Sequence, residues 1–349
     1  MKKLLFVMML VVAMVFCFAA CAAEEPAAED PVAEEPVAEG QQVTLRIGHV
    51  EAEDRSTHIA LVNFKDRVEA ESNGNITVEI YPNASIGDDA EMIAAVALGT
   101  LEMTLPATGN MSSYGLEWGV FDLPWLFTSP EAAFAACDNE IGDFLNGLLE
   151  GTGCISLGYT YNGMRCMSNN DRPIYGPEDC VGIDFRIMDS AVFRSMFELL
   201  GSNPTVIAFS EVYSSLQNGV VSGQENAPSL TYAMRFHEVQ QYFSLTNHVH
   251  SFLPIVTNEA WYLALDETNR AIIDAAIADM IVEQRELELA DYDKYVQMIA
   301  DYGVEVNEVD AAGMEAFKEA VAPIYDEYLD TFGQEIYDLA AQYNEQYSN

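Results

Sequence analysis

The period of the apolar positions changes repeatedly along the first half of the chain. Residues 43–50 (VTLRIGHV) alternate and are rich in β-formers, which predicts a strand. Ile59, Val62, Phe64 and Val68 then recur at near-helical spacing, behind Ser56 or Thr57 as a cap, until Asn73-Gly74-Asn75 breaks the run. Residues 76–81 read as a second strand. Asp88 with Glu91 three positions on is a capping-box start. That helix carries Met92, Ile93 and Val96 inward and stops at Gly99, with a third strand over 101–105. The order β-α-β-α-β predicts a mostly parallel sheet covered by helices.

The second half repeats the layout. Residues 120–127 (VFDLPWLF) are too apolar for a solvated loop, so they pack on the body or line a cleft wall. Ser129-Pro130-Glu131 opens helical segments that run to about residue 150. A strand over 154–159 leads to Tyr161-Asn162-Gly163-Met164-Arg165, read as a turn that delivers an arginine. Residues 181–188 form a strand carrying Arg186; Ser190 caps a helix ending at Gly201; 205–209 is a strand; Ser210 caps a helix ending at Gly219; and 220–223 begins a strand leading to Gln224-Glu225-Asn226. After a strand over 253–257, residues 266–302 contain no Pro or Gly, and Ile273, Ile277, Met280 and Ile281 mark an apolar helical face. A helix that long spans roughly 50 Å, more than one small domain, so it should cross between lobes. Helices rich in Glu and Tyr fill 311–347.

The ends and the charge narrow the class. Residues 1–21 read as an export leader: Lys2 and Lys3 precede an apolar run at 4–18. Phe18-Ala19-Ala20-Cys21 resembles the lipobox of bacterial lipoproteins, with Cys21 as the lipidated residue and Phe18 departing from the usual Leu; an ordinary cleaved leader with an incidental cysteine is the alternative. Residues 22–42 repeat Ala, Glu and Pro and cannot bury enough apolar surface to order, which makes them an extended tether. The whole chain carries a net charge of −41. Two of its 15 cations and seven of its 56 acids lie in leader and tether, leaving 13 and 49, a net of −36 for the body. Such a surface excludes a nucleic-acid partner, because phosphate binding needs a basic face. It also means that any anion site must be a local, enclosed cluster of arginines. Cys137, Cys154, Cys166 and Cys180 contain no CxxC pair; they allow three complete disulfide pairings or none, and they predict no metal site. His248-Val249-His250 places two imidazoles at alternate strand positions, which alone is too few ligands for a metal site. The sequence shows no Gly-x-Ser-x-Gly elbow, no His-Glu-x-x-His and no phosphate loop, so neither catalysis nor a cofactor is expected.

Residues 161–165 (YNGMR), 177–187 (PEDCVGIDFRI), 200–226 (LGSNPTVIAFSEVYSSLQNGVVSGQEN) and 236–251 (FHEVQQYFSLTNHVHS) resemble the solute receptors of tripartite ATP-independent periplasmic (TRAP) transporters. Weaker likeness extends over 81–103 and 121–127. His250 stands where the family often has Tyr, and Ser222 where Asp is common. The resemblance implies an α/β fold of two lobes, of the class II periplasmic-binding-protein kind, with a long interlobe helix. Lobe I would comprise residues 43–163 with about 252–291, and lobe II residues 164–251 with about 292–349. It further implies an extracytoplasmic receptor held to the membrane by the lipid on Cys21. Its ligand would be a small organic acid, a sugar acid such as a hexuronate or a dicarboxylate. It would pass that acid to membrane permease subunits driven by an ion gradient. A sensory module that docks on a signalling receptor is the competing class, and an exported enzyme a third.

Arg186 matches the family arginine that grips the ligand carboxylate, a task suited to a planar, permanently charged fork. A lone arginine in a strand is most simply a surface residue, but the apolar run Ile183-Asp184-Phe185-Arg186-Ile187-Met188 argues for burial, and a desolvated arginine needs an anion. Arg165 resembles a second arginine near the acid, with a structural salt bridge as its other reading. Asn226 resembles a ligand-contacting asparagine or else caps a turn, and Phe209 is either core or pocket wall. Asp189 varies within the family and is expected to help set ligand choice. Arg165, Glu225 and His248 are expected to form an interlobe network that orders on closure.

Overall fold

A computed structural model of the protein describes residues 40–348. Residues 1–39, with the leader, Cys21 and nearly all of the tether, lie outside the described residues. In chain order the elements are β1 (Val43–Gly48), α1 (Ser56–Glu71), β2 (Ile76–Tyr81), α2 (Asp89–Ala97), β3 (Met103–Thr104), α3 (Pro130–Asp138), α4 (Glu140–Gly147) and β4 (Cys154–Asn169). They continue with β5 (Asp184–Ile187), α5 (Ala191–Leu199), β6 (Asn203–Val206), α6 (Val212–Gln217), β7 (Gly223–Asn226), α7 (Pro228–Ala233) and β8 (Tyr242–Asn258). The chain ends with α8 (Glu259–Ala264), α9 (Glu267–Tyr302), β9 (Glu305–Glu308), α10 (Ala311–Val321), α11 (Pro323–Glu327), α12 (Leu329–Phe332) and α13 (Gln334–Gln346).

The strands join in the order β2-β1-β3-β8-β4-β7-β5-β6, with β9 added to β8. At one side β1 pairs parallel with β2 and β3; at the other β5 pairs parallel with β6 and β7. Each parallel group therefore follows the βαβαβ reading. Between them run β4 and β8, 16 and 17 residues long, antiparallel to each other and shared by both sides. Cys154 to Ser156 pair with the end of β8 that also meets β3, whereas Cys166 to Asn169 pair with β7. This two-stranded spine makes the molecule an α/β protein of two lobes.

The expected turn at 161–165 is therefore a correction: Arg165 sits within continuous β4. Asn-Gly often closes a tight hairpin, but here its neighbours already have partners on β8, and the irregularity is absorbed as a register shift between Tyr161 and Gly163. Gly163 has φ +105, and a side chain on it would meet Ala227 and Glu288, so glycine is required there. Smaller departures have the same origin. The 101–105 strand is only Met103–Thr104; β6 stops at Val206 and leaves Phe209 in a short 3-10 turn; and neither Ser56 nor Ser210 caps its helix. Ser56 donates instead to Glu288, a tertiary partner that no local pattern reveals.

The local caps hold where both partners are local. Asp88 and Glu91 form the capping box of α2, and Ser129, Ser190 and Asp266 cap α3, α5 and α9 through their side chains. The 36-residue α9 is about 54 Å long at 1.5 Å per residue. Its inward face keeps helical spacing but changes character. Ile273, Ile277 and Met280 are followed by buried Gln284, Arg285 and Glu288, then by Tyr295 and Ile299. The polar segment lies where α9 crosses β4: Gln284 caps both backbone groups of Tyr161 at 2.7 Å, and Arg285 pairs with Asp138 at 2.6 Å. Burial of Leu45, Ile47, Val78, Phe121, Phe185, Phe193, Phe252 and their neighbours forms one continuous core on both sides of the sheet. The four body cysteines are buried free thiols, Cys137, Cys154 and Cys180 within this core and Cys166 in a smaller cluster with Phe243, Ile299 and Val304.

Candidate functional site

Open parallel sheets bind ligands beyond the carboxyl ends of their strands. Here the ends of β1 and β3 lead to Val50, Glu51 and Ala107, and those of β5 and β7 to Met188 and Asn226; all line one cavity. Arg165, Arg186, Phe209, Asp89, Asn110 and Asn162 complete its polar and aromatic wall. The inner cavity is about 30 Å³, room for one or two waters. An outer chamber of about 230 Å³ shares Asp89, Asn110, Arg186 and Phe209 and adds Asp88 and Asp189. At its mouth the Ser210 N–H donates to Asp88 across the gap at 3.0 Å. The two sides are thus drawn together over a small enclosed space.

The two arginines brought to this cavity differ in one respect. Arg165, on β4, donates through Nε and Nη2 to the Glu225 carboxylate, the latter at 2.7 Å, and through Nη2 to the Glu225 carbonyl at 2.7 Å. Its guanidinium also lies 5.4 Å from the centre of the Phe193 ring. His248 Nε2 is 3.2 Å from Glu225, and its Nδ1 is 2.8 Å from the Thr246 hydroxyl. Burial acts to raise the Glu225 pKa, but Arg165 and His248 hold it below the usual carboxylate range; burial keeps His248 below the usual imidazole range. The expected Arg165–Glu225–His248 cluster is present, yet it spans neighbouring strands β4, β7 and β8. Register puts Met167 beside Glu225 and Arg165 beside Val249.

Arg186, on β5, is 3% exposed. Its Nε donates to the Ile207 carbonyl at 2.9 Å, and its guanidinium lies 5.9 Å from the Phe209 ring centre. Arg55, Arg165, Arg186 and Arg285 are the buried arginines among the described residues. Arg55 pairs with Glu51 and Glu288, Arg165 with Glu225, and Arg285 with Asp138. Among the described residues no carboxylate lies within 4 Å of Arg186, and burial pushes its pKa down to about 10. The cavity thus contains one guanidinium that no carboxylate contacts directly, with the Asp88, Asp89 and Glu225 charges acting on it only from beyond contact distance.

The other expected site residues divide. Asn226 is buried against the cavity and donates to Gln224 at 2.6 Å, so its carbonyl oxygen is left for another donor. Phe209 is both core and cavity wall. Asp189 is exposed and reaches only the outer chamber. His248 and His250 diverge, the second bonding Tyr161 at 2.9 Å, and among the described residues no group of three or more His, Cys, Asp and Glu is placed to hold a metal. Sequence reasoning missed Glu51, Asp89, Asn110 and Asn162. Asp89 was hidden by its neighbour: the capping signal of Asp88 explained an acidic pair without asking where the second carboxylate went. Glu51 follows a strand end and has no motif of its own.

A model described as bacterial extracellular solute-binding protein, family 7, matches residues 47–331. The chain belongs to this family. Its members are TRAP solute receptors, and the two-lobe fold agrees. The C4-dicarboxylate-binding periplasmic protein DctP of Rhodobacter capsulatus is 31% identical over 297 residues, covering 84% of this chain and 89% of the relative. A sugar acid binding protein of Advenella mimigardefordensis, solved with galactonate, superposes with TM-score 0.84 at 30% identity over 87% of this chain and 99% of that one. A TRAP periplasmic solute binding protein of Sulfurospirillum deleyianum, solved with succinate, gives 0.83 at 28% identity over 86% and 99%. Family 7 receptors of this fold thus include binders of both a sugar acid and a dicarboxylate.

Proposed function

We propose that this family 7 receptor captures a small organic acid between its lobes, with Arg186 gripping the carboxylate, and hands it to TRAP permease subunits in the membrane. The observation that carries the reading is the buried Arg186 without a carboxylate partner, in a protein whose other buried arginines all have one. Burying an unpaired charge costs several kcal/mol, and an incoming carboxylate offsets that cost while receiving two parallel N–H donors. Asn226 adds a donor and an acceptor beside it. Arg165, already neutralised by Glu225, contributes position and shape rather than free charge. Asp189, at the outer chamber, contributes to ligand choice at the rim.

The lobes divide where Gly163 faces Ser251 on the β4–β8 spine, whose register shifts let the two sides rotate. The Asp88–Ser210 bond holds the mouth shut over the acid. The receptor performs no catalysis: its role is to bind, enclose and deliver. The leader and Cys21 would place it outside the cytoplasmic membrane, tethered by lipid through residues 22–42. A thermal-shift screen against organic acids tests the reading, since a ligand at about 100 times its Kd adds about 2.7 kcal/mol to the folded state. A carboxylate must raise the melting temperature of the wild type and fail to raise that of Arg186→Met. A shift that survives the substitution removes Arg186 from the site.

A further inference from the structure

The cavity has an acidic wall as well as a basic one. Asp89, at the first turn of α2, is 4% exposed; its Oδ2 accepts from Asn110 Nδ2 at 2.6 Å, while its Oδ1 has no partner. Glu51, beyond the end of β1, is 3% exposed; its Oε1 accepts from Arg55 at 3.3 Å, while its Oε2 has no partner. Both residues line the same cavity as Arg186. Buried carboxylate oxygens without donors are costly and rarely tolerated without use. Burial raises the Asp89 pKa to about 7, with the nearby Asp88 and Glu51 charges pushing the same way.

The cavity therefore offers donors on one side and acceptors on the other. A ligand carboxylate satisfies Arg186. A second carboxylate, directed at Glu51 and Asp89, would meet the Glu51 charge, would push the Asp89 proton affinity up further, and would bring no hydrogen to donate. A hydroxyl brings the missing hydrogen and carries no charge. Asn110 and Asn162, beside the two acids, can both donate to and accept from neighbouring hydroxyls.

We infer that the acid bound here is a polyhydroxy monocarboxylate, a sugar acid, and that Glu51 and Asp89 select it over dicarboxylates by accepting from its hydroxyl groups. The inference rests on the acid-receptor reading and narrows its ligand class. It assigns to the first lobe the choice of ligand, and to the second the demand for an acid.

Isothermal titration of the purified protein with galactonate, galacturonate and succinate tests it, with Glu51→Gln, Asp89→Asn and Arg186→Met measured alongside. The wild type should bind at least one of the two sugar acids more tightly than succinate by roughly 10- to 100-fold, the worth of one or two charge-assisted hydrogen bonds. Glu51→Gln and Asp89→Asn should each lose roughly 10-fold or more for the sugar acid while succinate binding holds or improves. Both substitutions keep side-chain size, and Asp89→Asn removes a costly buried charge, so unliganded melting temperatures serve as the folding control. Succinate binding more tightly than either sugar acid, through a site abolished by Arg186→Met, overturns this inference and leaves the receptor reading standing. Equal losses for both ligand classes in the two variants also overturn it. Failure of every carboxylate to bind, or binding that survives Arg186→Met, sinks the receptor reading and this inference with it.

Discussion

Replacing Arg186 and Arg165 in turn by methionine separates a functional arginine from a structural one. The two are similarly buried, but only Arg165 has a carboxylate partner. Moving the Arg186 pKa from 12.5 to about 10 corresponds to about 3 kcal/mol of disfavoured charge, at about 1.36 kcal/mol per pH unit. Against that stand one hydrogen bond to Ile207 and the Phe209 contact, together about 2 kcal/mol. Arg186→Met should therefore leave unliganded stability within about 1 kcal/mol of wild type, with the sign toward stabilisation. Arg165→Met leaves Glu225 buried with only neutral His248 beside it, which costs about 3–5 kcal/mol. Unfolding entropy of about 2.1 cal/mol/K per residue converts a kcal/mol to roughly 1.5 °C for a body of this size. Scanning calorimetry without ligand should thus place Arg165→Met roughly 5–8 °C below Arg186→Met. Equal melting temperatures, or a larger loss for Arg186→Met, would show that Arg186 is balanced within the protein and refute its assignment as the carboxylate grip.

Glu225→Gln removes the charge that neutralises Arg165 without touching a ligand group; chemical denaturation should show a loss of about 3 kcal/mol or more, and titration calorimetry a weaker acid affinity. Gln284→Leu strips both backbone groups of Tyr161 of their partner where α9 crosses β4, and should cost about 2–4 kcal/mol in the same denaturation assay. Burial raises the Asp122 pKa from 3.8 to about 7, so the folded state holds the extra proton between those values. Stability from this group is complete below about pH 4 and declines as pH rises to about 7, and urea melts should show Asp122→Asn gaining on wild type by up to about 3 kcal/mol between pH 5 and pH 8. Burial pushes the Cys166 and Cys180 thiols up to about 11 and 12, so a thiol reagent should react with the body cysteines only on unfolding, and mass spectrometry of the native protein should find no disulfide between them.

Features whose partners lie within one turn or one strand were legible in the chain. The Asp88–Glu91 box, the Ser129, Ser190 and Asp266 caps, the unbroken α9 and the burial of Arg186 among apolar neighbours all depend on residues a few positions apart. The same local reading cut β4 at Asn162-Gly163, because hairpin chemistry is local and pairing with β8 some 90 residues away is not. It left β8 as a short segment at 253–257 for the same reason. It also placed Ser56 as a cap, when its hydroxyl is claimed by Glu288 from 232 residues on.

The sequence alone placed a scarce arginine in an apolar strand of a strongly acidic protein, which led to the expectation of an anion there. It already set Arg186, as the expected grip, apart from Arg165, for which a structural salt bridge was the other reading. Only the tertiary structure shows what lies against each, because the balance of a buried charge depends on what surrounds it in space. Glu225, 60 residues from Arg165, pairs directly with one guanidinium, and among the described residues no carboxylate lies within 4 Å of the other. The acidic wall of Glu51 and Asp89 emerged the same way: two unremarkable acids among many became informative once folding buried them, each with one oxygen left without a donor.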